Sequence, residues 1–513
     1  MAGLAGRRIS RSTKVGLAFD QSGPPCLSGA NGFIRSAMKK LLILAALAAA
    51  PALSQSRHSA PPAAPPTLRA LADQVSQDNM HATVERLVAF GTRHTLSVRD
   101  NPMRGIGAAL NWTEAQFRGF SRACGGCLEI VRPSDTVTNR RIPTPTLVED
   151  VVAIQRGTTD PDRVIVITGH IDSRVTDPLN ATSDAPGAND DGSGTAAVIE
   201  AARILSRYRF PATIVYGVVS GEEQGLNGST ILAQYAKDHH WRVEAELNND
   251  IIGNSCSSDG VCDDSHVRVI SEGVRADATS ELIAAQRSLG GENDAPSRNL
   301  SRFVSTLADD LALGLDVRQI WRTDRFGRGG DHIPFQRLGF PAIRFSVAIE
   351  NYNWQHQDLR TENGIVYGDT IDHMDFPYLR KVTQLNVAAL AALARAPMPP
   401  EPRVEGAVST DTTIIWEPVA EANTYVVRWR RTDARHWEHS RRYVAAYNCP
   451  DDDCLRVLDN STARRATLPG VRVDDWVFGV SSVAADGSES PVASAVPGGA
   501  FRPWTNPPPA QNP

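Results

Sequence analysis

Between residues 67 and 396, short apolar runs alternate with segments of helical periodicity. The runs at 164–168 and 213–219 are continuous, which is typical of parallel strands that are buried on both faces. After Gly194 the apolar positions fall on one helical face, and residues 381–394 contain few helix breakers. Alternation of strands and helices over this length predicts an α/β fold with a mostly parallel, helix-flanked sheet.

The pattern changes after residues 397–402, a proline-rich segment that we interpret as a linker. Beyond it apolar and polar positions alternate, as in residues 425–429, and turn residues recur up to a last strand that ends at Ala485. Alternation of this kind over about 100 residues predicts an all-β sandwich at 403–500.

Several positions of the predicted sandwich resemble a fibronectin type III module. They are Trp416, Leu468-Pro469-Gly470, Trp476-Val477-Phe478 and Asp486-Gly487-Ser488-Glu489-Ser490-Pro491. The resemblance is compatible with a domain that binds an extracellular or cell-wall ligand, aids secretion or acts as a spacer, and the sequence leaves these roles open. The proline-rich tail at 501–513 is predicted to be disordered.

The N-terminal part of the chain has the features of an export signal. Residues 38–54 combine a basic start at Lys39-Lys40, a short apolar run and small residues at the end, as secretory signal peptides do. The apolar run is too short to span a bilayer. We therefore expect a periplasmic or secreted protein with no membrane span, and residues 1–37 are either a leader or the result of a mis-called start codon before Met38.

Composition narrows the class of protein and its partners. The chain has 513 residues, 41% of them hydrophobic and 22% charged, with a net charge of −5. These values are typical of a globular protein of two domains, and the mild acidity gives no reason to expect nucleic acid or an anionic membrane as a partner.

The cysteines agree with export. Outside the leader they form three local pairs, which in an exported protein predict three short disulfides. For the Cys124–Cys127 pair a redox or zinc-binding role is the alternative. The pairs are Cys124 and Cys127, Cys256 and Cys262, and Cys449 and Cys454.

Seven polar residues lie at the ends of apolar runs or in the turns that follow them. In an open α/β sheet the carboxyl ends of the strands meet at one edge, so these side chains can converge although they are distant in sequence. Imidazoles and carboxylates in this mix are ligands that suit zinc. The residues are His170, Asp172, Asp190, Glu222, Glu223, Asp250 and His356.

A pair of divalent ions needs one shared carboxylate together with a histidine and a carboxylate for each ion. Asp190, in a glycine-rich turn before a helix, is the natural bridge. Asp172 is placed to accept the second N–H of the His170 imidazole. Glu222 and Glu223 are adjacent, so in a turn one can bind metal while the other takes a proton from water and passes it to the leaving amine.

These motifs resemble the zinc-dependent exopeptidase family that includes bacterial leucyl aminopeptidase, aminopeptidase Y and glutaminyl cyclases. The resemblance covers roughly residues 67–395 and is carried by Gly169-His170-Ile171-Asp172, Asn189-Asp190-Asp191-Gly192, Gly221-Glu222-Glu223, Asn249-Asp250-Ile251-Ile252-Gly253 and Tyr352-Asn353-Trp354-Gln355-His356.

The resemblance implies a role for each of these positions. Glu222 is the general base and Asp172 orients a ligand histidine, while two zinc ions take the remaining residues as ligands. In family members a cis peptide joins the two aspartates that correspond to Asp190 and Asp191. The implied zinc ligands are His170, Asp190, Glu223, Asp250 and His356.

Other histidines compete for the last ligand position. His332 fits the structural histidine of the family segment Asp-His-x-x-Phe, here in residues 331–335. His373 is a second candidate, but we favour His356 because Tyr352-Asn353 precedes it at the family distance.

The sequence thus predicts an exported two-zinc aminopeptidase that acts on peptides with a free N-terminus. A carboxypeptidase-type relative is the second hypothesis, since Arg322, Arg325 and Arg328 could hold a substrate carboxylate. A glutaminyl cyclase with a single zinc is the third. A non-catalytic binding protein is the alternative outside enzymes, and the loss of a ligand or of Glu222 would favour it.

Overall fold

The computed structural model describes residues 63–444 and 463–505. The predicted leader, the signal peptide and the Cys449–Cys454 pair therefore lie outside the described residues. The strands before residue 397 are β1 (Glu129–Val131), β2 (Ser134–Asn139), β3 (Ile142–Glu149), β4 (Val151–Gln155), β5 (Asp160–His170), β6 (Ala212–Val219), β7 (Arg242–Asn249), β8 (His266–Ser271), β9 (Asp316–Ile320), β10 (Ala342–Val347), β11 (Arg360–Glu362) and β12 (Ile365–Tyr367).

Helices cover both faces of the central sheet, which eight of these strands form. They are α1 (Leu68–Ala72), α2 (Gln77–Val88), α3 (Ile106–Ala123), α4 (Gly192–Leu205), α5 (Asn227–Asp238), α6 (Ser280–Leu289), α7 (Pro296–Leu311), α8 (His332–Arg337) and α9 (Phe376–Arg395), with a short 3-10 helix at Ile371–His373.

The central sheet has eight strands in the order β1-β4-β6-β5-β7-β10-β8-β9. Its middle strands β6, β5, β7 and β10 run parallel, whereas β4 pairs antiparallel with β6 and β8 pairs antiparallel with β10. The register sets His170 opposite Val219, so β5 and β6 end at the same edge. The predicted α/β fold is confirmed, with antiparallel strands added outside the parallel centre.

The apolar residues of the sheet are buried against helices on both sides. Leu385 of α9 and Ala197 of α4 belong to the larger core, and Leu232 of α5 and Phe335 of α8 belong to the core on the other face; all four are fully buried. Complete burial of one such leucine stabilises the folded state by about 1.5–3 kcal/mol. The apolar positions that predict the strands and helices therefore also stabilise the fold.

Helix α4 begins at the edge of the sheet because of local side-chain contacts. Asp191 is its N-cap, and its Oδ1 accepts the Gly194 N–H at 2.8 Å. Gly194 has to be glycine, since a Cβ there would lie 2.1 Å from the Asn249 carbonyl oxygen. Helix and strand ends are thereby packed closely at the point where the polar motifs lie.

The second part of the chain is an all-β sandwich. One sheet has the order β13-β14-β17 and the other has the order β16-β15-β18-β19, and Trp416, Tyr425 and Phe478 are buried between them. The last strand lies beyond Ala485, where the sequence predicted the end. The fibronectin type III resemblance stays a prediction. The strands are β13 (Arg403–Glu405), β14 (Thr412–Trp416), β15 (Thr424–Arg431), β16 (His439–Val444), β17 (Arg464–Leu468), β18 (Trp476–Val483) and β19 (Ala493–Ser494).

The connection to the sandwich is packed against it. In the predicted linker, the Met398 carbonyl accepts a hydrogen bond of 2.7 Å from Ser482 Oγ.

The start of the C-terminal tail is also packed. Phe501 is buried, and Arg275 donates to the Ala500 and Arg502 carbonyl oxygens at 3.1 and 2.7 Å. The predicted disordered tail therefore does not begin at residue 501.

Two of the three predicted disulfides lie within the described residues, and both are formed. They join Cys124 to Cys127 and Cys256 to Cys262. None of the helices in the described ranges is long and apolar enough to cross a membrane.

Candidate metal centre

The predicted site residues lie where strands end at one edge of the sheet. His170 is the last residue of β5, Glu222 and Glu223 follow β6, and Asp250 follows β7 directly. Asp190 lies directly before Asp191, the N-cap residue of α4. The topology thus brings together side chains from four separate segments, as expected from the sequence.

Two groups of possible ligands form around Asp190. His170 Nε2 lies 3.2 Å from Asp190 Oδ1 and 3.9 Å from Asp250 Oδ1. On the other side of the same carboxylate, His356 Nε2 lies 3.0 Å from Asp190 Oδ2 and 2.8 Å from Glu223 Oε1. Within each group the ligand atoms all lie within 4.8 Å of one another. Asp190 therefore presents one oxygen to each group.

The chemistry of the groups fits divalent cations. Asp190, Glu223 and Asp250 are buried together with His170. Glu223 Oε1 is buried and has no hydrogen-bond donor within the described residues, although His356 Nε2 is close to it. Buried carboxylate and imidazole atoms that converge on one point, with a carboxylate oxygen left without a hydrogen bond, are typical of a metal site, and this ligand mix suits zinc.

Neighbouring charges tune the carboxylates. Burial raises the pKa of Asp190, but His356 and His170 outweigh it and hold that pKa well below its usual range. For Glu222, burial dominates and raises the pKa well above its ordinary value, with the negative charges of Glu223 and Asp250 acting in the same direction. A carboxylate that holds its proton more firmly than its neighbours is suited to exchange protons with a substrate.

Asp172 acts on the glutamates more than on the imidazole. Its carboxylate accepts the N–H groups of Glu222 and Glu223 at 3.2 and 3.1 Å, and Thr95 Oγ1 donates to it at 3.3 Å. His170 Nδ1 is 3.0 Å from the Asp172 backbone carbonyl oxygen but 3.6 Å from the nearer carboxylate oxygen. The predicted contact of the imidazole is thus made by the backbone, and the carboxylate fixes the turn that carries Glu222.

The loop that carries Asp190 is fixed from several sides. The peptide bond between Asp190 and Asp191 is cis, as the family resemblance implied. Asp369 accepts the backbone N–H of Asp190 at 2.7 Å, and burial raises the Asp369 pKa to about 7. The guanidinium of Arg93, fully buried, donates to the Pro186 and Gly187 carbonyl oxygens at 2.6 and 2.8 Å.

Three residues near the ligands were missed by the sequence analysis. Arg174 Nε donates to Glu223 Oε2 at 2.8 Å and its Nη2 lies 2.7 Å from His356 Nδ1. Arg344 Nη2 lies 2.7 Å from Asp250 Oδ2, and the third residue is Asp369. A signal for Arg344 was present in the sequence, since a charged residue interrupts the apolar run that forms β10. Arg174 and Asp369 lie in loops without such a signal.

The competing histidines lie outside both ligand groups. His332 is buried, its Nε2 lies 2.8 Å from the Thr323 carbonyl oxygen, and burial lowers its pKa to about 4. The His373 ring stacks on Trp354 with 4.1 Å between ring centroids. Of the three histidines weighed for the last position, only His356 faces Asp190 and Glu223.

The groups open into a cavity of about 610 Å³. Of the arginines considered for a carboxypeptidase, Arg325 and Arg328 line it, whereas the Arg322 guanidinium lies over the Phe326 ring. The lining residues are Arg141, Arg174, Asp190, Glu222, Glu223, Gly225, Leu226, Asp250, Arg325, Gly327, Arg328, Gly329, Tyr352, Gln355, His356 and Gln357.

Sequence comparison with known proteins points to a family of peptidases. Residues 150–389 match the model of peptidase family M28. A probable zinc metalloprotease of Pyrenophora tritici-repentis is 42% identical over 438 residues, which span 84% of this chain and 87% of that protein. A probable zinc metalloprotease of Pyricularia oryzae is 40% identical over 446 residues, 84% of each chain. The crystal structure of LapB from Legionella pneumophila matches with a TM-score of 0.46 and 20% identity, covering 63% of this chain and 73% of its own.

The α/β fold and the paired histidine–carboxylate groups at its sheet edge, together with the sequence matches, define a metallopeptidase. The chain belongs to peptidase family M28.

Proposed function

We propose that this protein is a two-zinc aminopeptidase that removes the N-terminal residue of peptides. The observation that carries the proposal is the position of Asp190, which turns one carboxylate oxygen to His170 and the other to His356. A carboxylate between two histidines, each group completed by a further acidic residue, is the ligand arrangement that a pair of divalent ions needs.

Zinc is the metal that the ligands and the relatives favour. Nitrogen and carboxylate ligands suit zinc, and the curated relatives are described as probable zinc metalloproteases. When bound, a pair of zinc ions lowers the pKa of water and polarises the peptide carbonyl. The residues proposed to hold the ions are His170, Asp190, Asp250, Glu223 and His356.

Glu222 is the proposed general base. Its side chain lines the cavity beside Glu223 and Asp250 without belonging to either ligand group. It takes a proton from the attacking water and gives it to the leaving amine. Asp172 holds the backbone of Glu222 and Glu223, so the base and the ligand keep their relative position through the reaction.

The carboxylates that line the cavity favour a substrate with a free, positively charged N-terminus. Asp190, Glu222 and Glu223 together present several carboxylate oxygens to the cavity. An α-ammonium group is attracted by such oxygens, whereas an acetylated N-terminus has no charge to offer. This difference separates an exopeptidase from an endopeptidase.

The test is hydrolysis of aminoacyl-p-nitroanilides by the full chain, with N-acetylated analogues as controls. The proposal expects release from free-amine substrates only, loss of activity on chelation, recovery with zinc, and loss in Glu222→Gln with its zinc content unchanged. Equal hydrolysis of the acetylated substrates contradicts it, and so does full activity of Glu222→Gln.

Two related activities have specific outcomes in the same experiment. Arg325 and Arg328 in the cavity wall keep a carboxypeptidase-type activity open, and release of C-terminal residues from N-acetylated peptides identifies it. Cyclisation of N-terminal glutamine with a single bound zinc identifies a glutaminyl cyclase. The completeness of both ligand groups favours the two-metal enzyme.

Export is part of the proposal. Residues 38–54 have the composition of a signal peptide, and short disulfides such as Cys256–Cys262 persist in oxidising compartments. N-terminal sequencing of the protein recovered from outside the cytoplasm is expected to begin after residue 54. A protein that stays in the cytoplasm with an intact N-terminus contradicts this part.

A further inference from the structure

One wall of the cavity carries an excess of arginine. Arg325 Nη1 and Arg328 Nη1 lie 3.5 and 2.6 Å from Glu350 Oε2, and Arg268 Nη2 lies 2.6 Å from the other oxygen of the same carboxylate. Three guanidinium groups thus share one side chain that is 3% exposed. Arg325 and Arg328 line the cavity, whereas Glu350 does not.

The neighbouring ion pairs do not remove the excess. Asp324 lies 3.4 Å from Arg325 and 3.5 Å from Arg344. Arg344 is also paired with Asp250, 2.7 Å away, so these two charges offset each other. With that pair set aside, three positive charges face two negative ones, a surplus of one. The three arginines are Arg268, Arg325 and Arg328, and the two carboxylates are Asp324 and Glu350.

The cavity-lining arginines that carry this surplus charge are partly or largely shielded from solvent. The side chain of Arg325 is 9% exposed, and burial, followed by the positive charge of Arg344, lowers its pKa. The Arg328 side chain is 31% exposed and faces the cavity. Buried charge without a counter-charge is costly, so an anion that enters from the cavity is stabilised there.

Arg328 has donors left for such an anion. The hydrogen bonds that its guanidinium donates within the described residues both start from Nη1, to Glu350 at 2.6 Å and to Gln355 at 3.5 Å. A guanidinium is a planar fork of five N–H donors and can hold a carboxylate through two parallel hydrogen bonds. The geometry of this wall therefore matches a carboxylate better than an apolar side chain.

We infer that the wall formed by Arg325 and Arg328 binds a carboxylate of the peptide substrate beside the scissile bond. The inference rests on the proposed peptidase function and specifies its substrate class. The carboxylate comes from one of two sources, an acidic side chain or the free C-terminus of a short peptide. In both cases the wall formed by Arg325 and Arg328 selects the substrate by charge.

The test compares substrates that differ only in this charge. Glutamyl- and glutaminyl-p-nitroanilide form one pair, and a dipeptide and its C-terminal amide form the other. The zinc-loaded full chain is expected to prefer the charged member of at least one pair by about ten-fold or more in kcat/KM, since only that member accepts a charge-assisted hydrogen bond from the arginine wall. The pair that shows the preference identifies the source of the carboxylate.

Three variants assign the effect to the arginine wall. Arg328→Gln is expected to lower the ratio of charged to neutral substrate towards one, and Arg328→Lys is expected to keep part of it. Arg322→Gln is the matched control, because Arg322 lies in the same loop but stacks on Phe326 outside the cavity. Its ratio is expected to equal that of the wild type.

The outcomes separate this inference from the proposed function. Equal rates for both members of both pairs overturn the inference, as does a ratio that Arg328→Gln leaves unchanged. If no substrate is hydrolysed, the proposed function fails, and calorimetry of the zinc-loaded Glu222→Gln variant still decides the inference. Tighter binding of a glutamate-containing peptide than of its glutamine analogue, weakened by added salt, supports it; equal binding of the two overturns it.

Discussion

Arg344 Nη2 lies 2.7 Å from Asp250 Oδ2, and both side chains are buried at the end of the parallel strands. Arg344 belongs to β10 and Asp250 follows β7, so the pair joins two neighbouring strands behind the proposed metal site. The second oxygen of Asp250 faces His170. The arginine therefore fixes the orientation in which Asp250 presents that oxygen.

Replacing Arg344 by methionine is expected to destabilise the protein by about 3–5 kcal/mol, since it leaves a buried carboxylate without its partner. Zinc affinity is expected to fall as well, because the ligand loses its orientation. Urea unfolding and zinc titration measure the two effects. Arg318→Gln in β9 of the same sheet is the control, since the Arg318 side chain is 42% exposed, and it is expected to cost about 1 kcal/mol or less. A similar loss in both variants contradicts the role of the buried pair.

The sandwich is predicted to stabilise the peptidase part through Asp294. Its Oδ1 lies 2.6 Å from Arg430 Nη2 of β15 and accepts a hydrogen bond of 2.9 Å from Ser494 Oγ of β19, all buried. Asp294→Ala leaves Arg430 uncompensated, so we expect a loss of about 3–5 kcal/mol in the free energy of unfolding. Denaturant unfolding followed by tryptophan fluorescence measures it.

An exposed ion pair of the sandwich provides the control for that experiment. Glu405 lies 3.4 Å from Arg465, and their side chains are 53% and 38% exposed. Glu405→Gln is expected to change stability by about 1 kcal/mol or less. If Asp294→Ala is no more damaging than Glu405→Gln, the sandwich acts as a loosely attached domain.

Asp172 is predicted to act through the turn that it holds. Asp172→Ala removes the acceptor of the Glu222 and Glu223 N–H groups. We expect kcat to fall by about 10–100-fold, as for other residues that orient metal ligands. Thr95→Val removes one longer contact to the same carboxylate and a contact to Gln224 but leaves both backbone N–H groups held, so it is expected to cost less. Normal activity of Asp172→Ala at normal zinc content contradicts this role.

Stability is predicted to depend on pH through Glu272, which lies far from the metal ligands in sequence. Burial raises its pKa from 4.5 to about 8, and its Oε2 accepts the Ala276 N–H at 3.0 Å. Between these two pH values the folded state keeps a proton that the unfolded chain has released. The contribution of Glu272 to stability is therefore complete below 4.5 and is lost as the pH rises towards 8.

The measurement is the free energy of unfolding at several pH values between 5 and 8, for the wild type and for Glu272→Gln. The difference between the two is expected to shrink or change sign with a slope of up to about 1.4 kcal/mol per pH unit. Glu281→Gln on the exposed face of α6 is the control and is expected to run parallel to the wild type. A pH-independent difference for Glu272→Gln shows that this carboxyl is not buried in its neutral form.

Most of the fold was predictable because apolar periodicity reports burial directly. Residues 164–168 and 213–219 lie inside β5 and β6, and residues 381–394 lie inside α9. The antiparallel strands at the sheet edges were not distinguished from parallel ones, since the periodicity of apolar residues does not give the direction of a strand. The two-residue β19 was missed because it is too short to form a pattern.

The grouping of the candidate ligands was predicted better than its surroundings. Each of the five candidate ligands stands at a strand end or in a turn, and the structure brings them together. The supporting contacts were not predictable, since Asp369 and Asp190 are 179 residues apart in sequence and meet only in the fold. The role of the Asp172 carboxylate also depends on the backbone of a turn 50 residues away.

The measurement that tests the account most directly is the number of zinc ions bound per chain, by native mass spectrometry, in the wild type and in single-ligand variants. We predict two ions in the wild type, at most one in His170→Ala and in His356→Ala, and none held firmly in Asp190→Ala, because that carboxylate serves both groups. A single ion in the wild type, unaffected by His356→Ala, contradicts the two-metal centre.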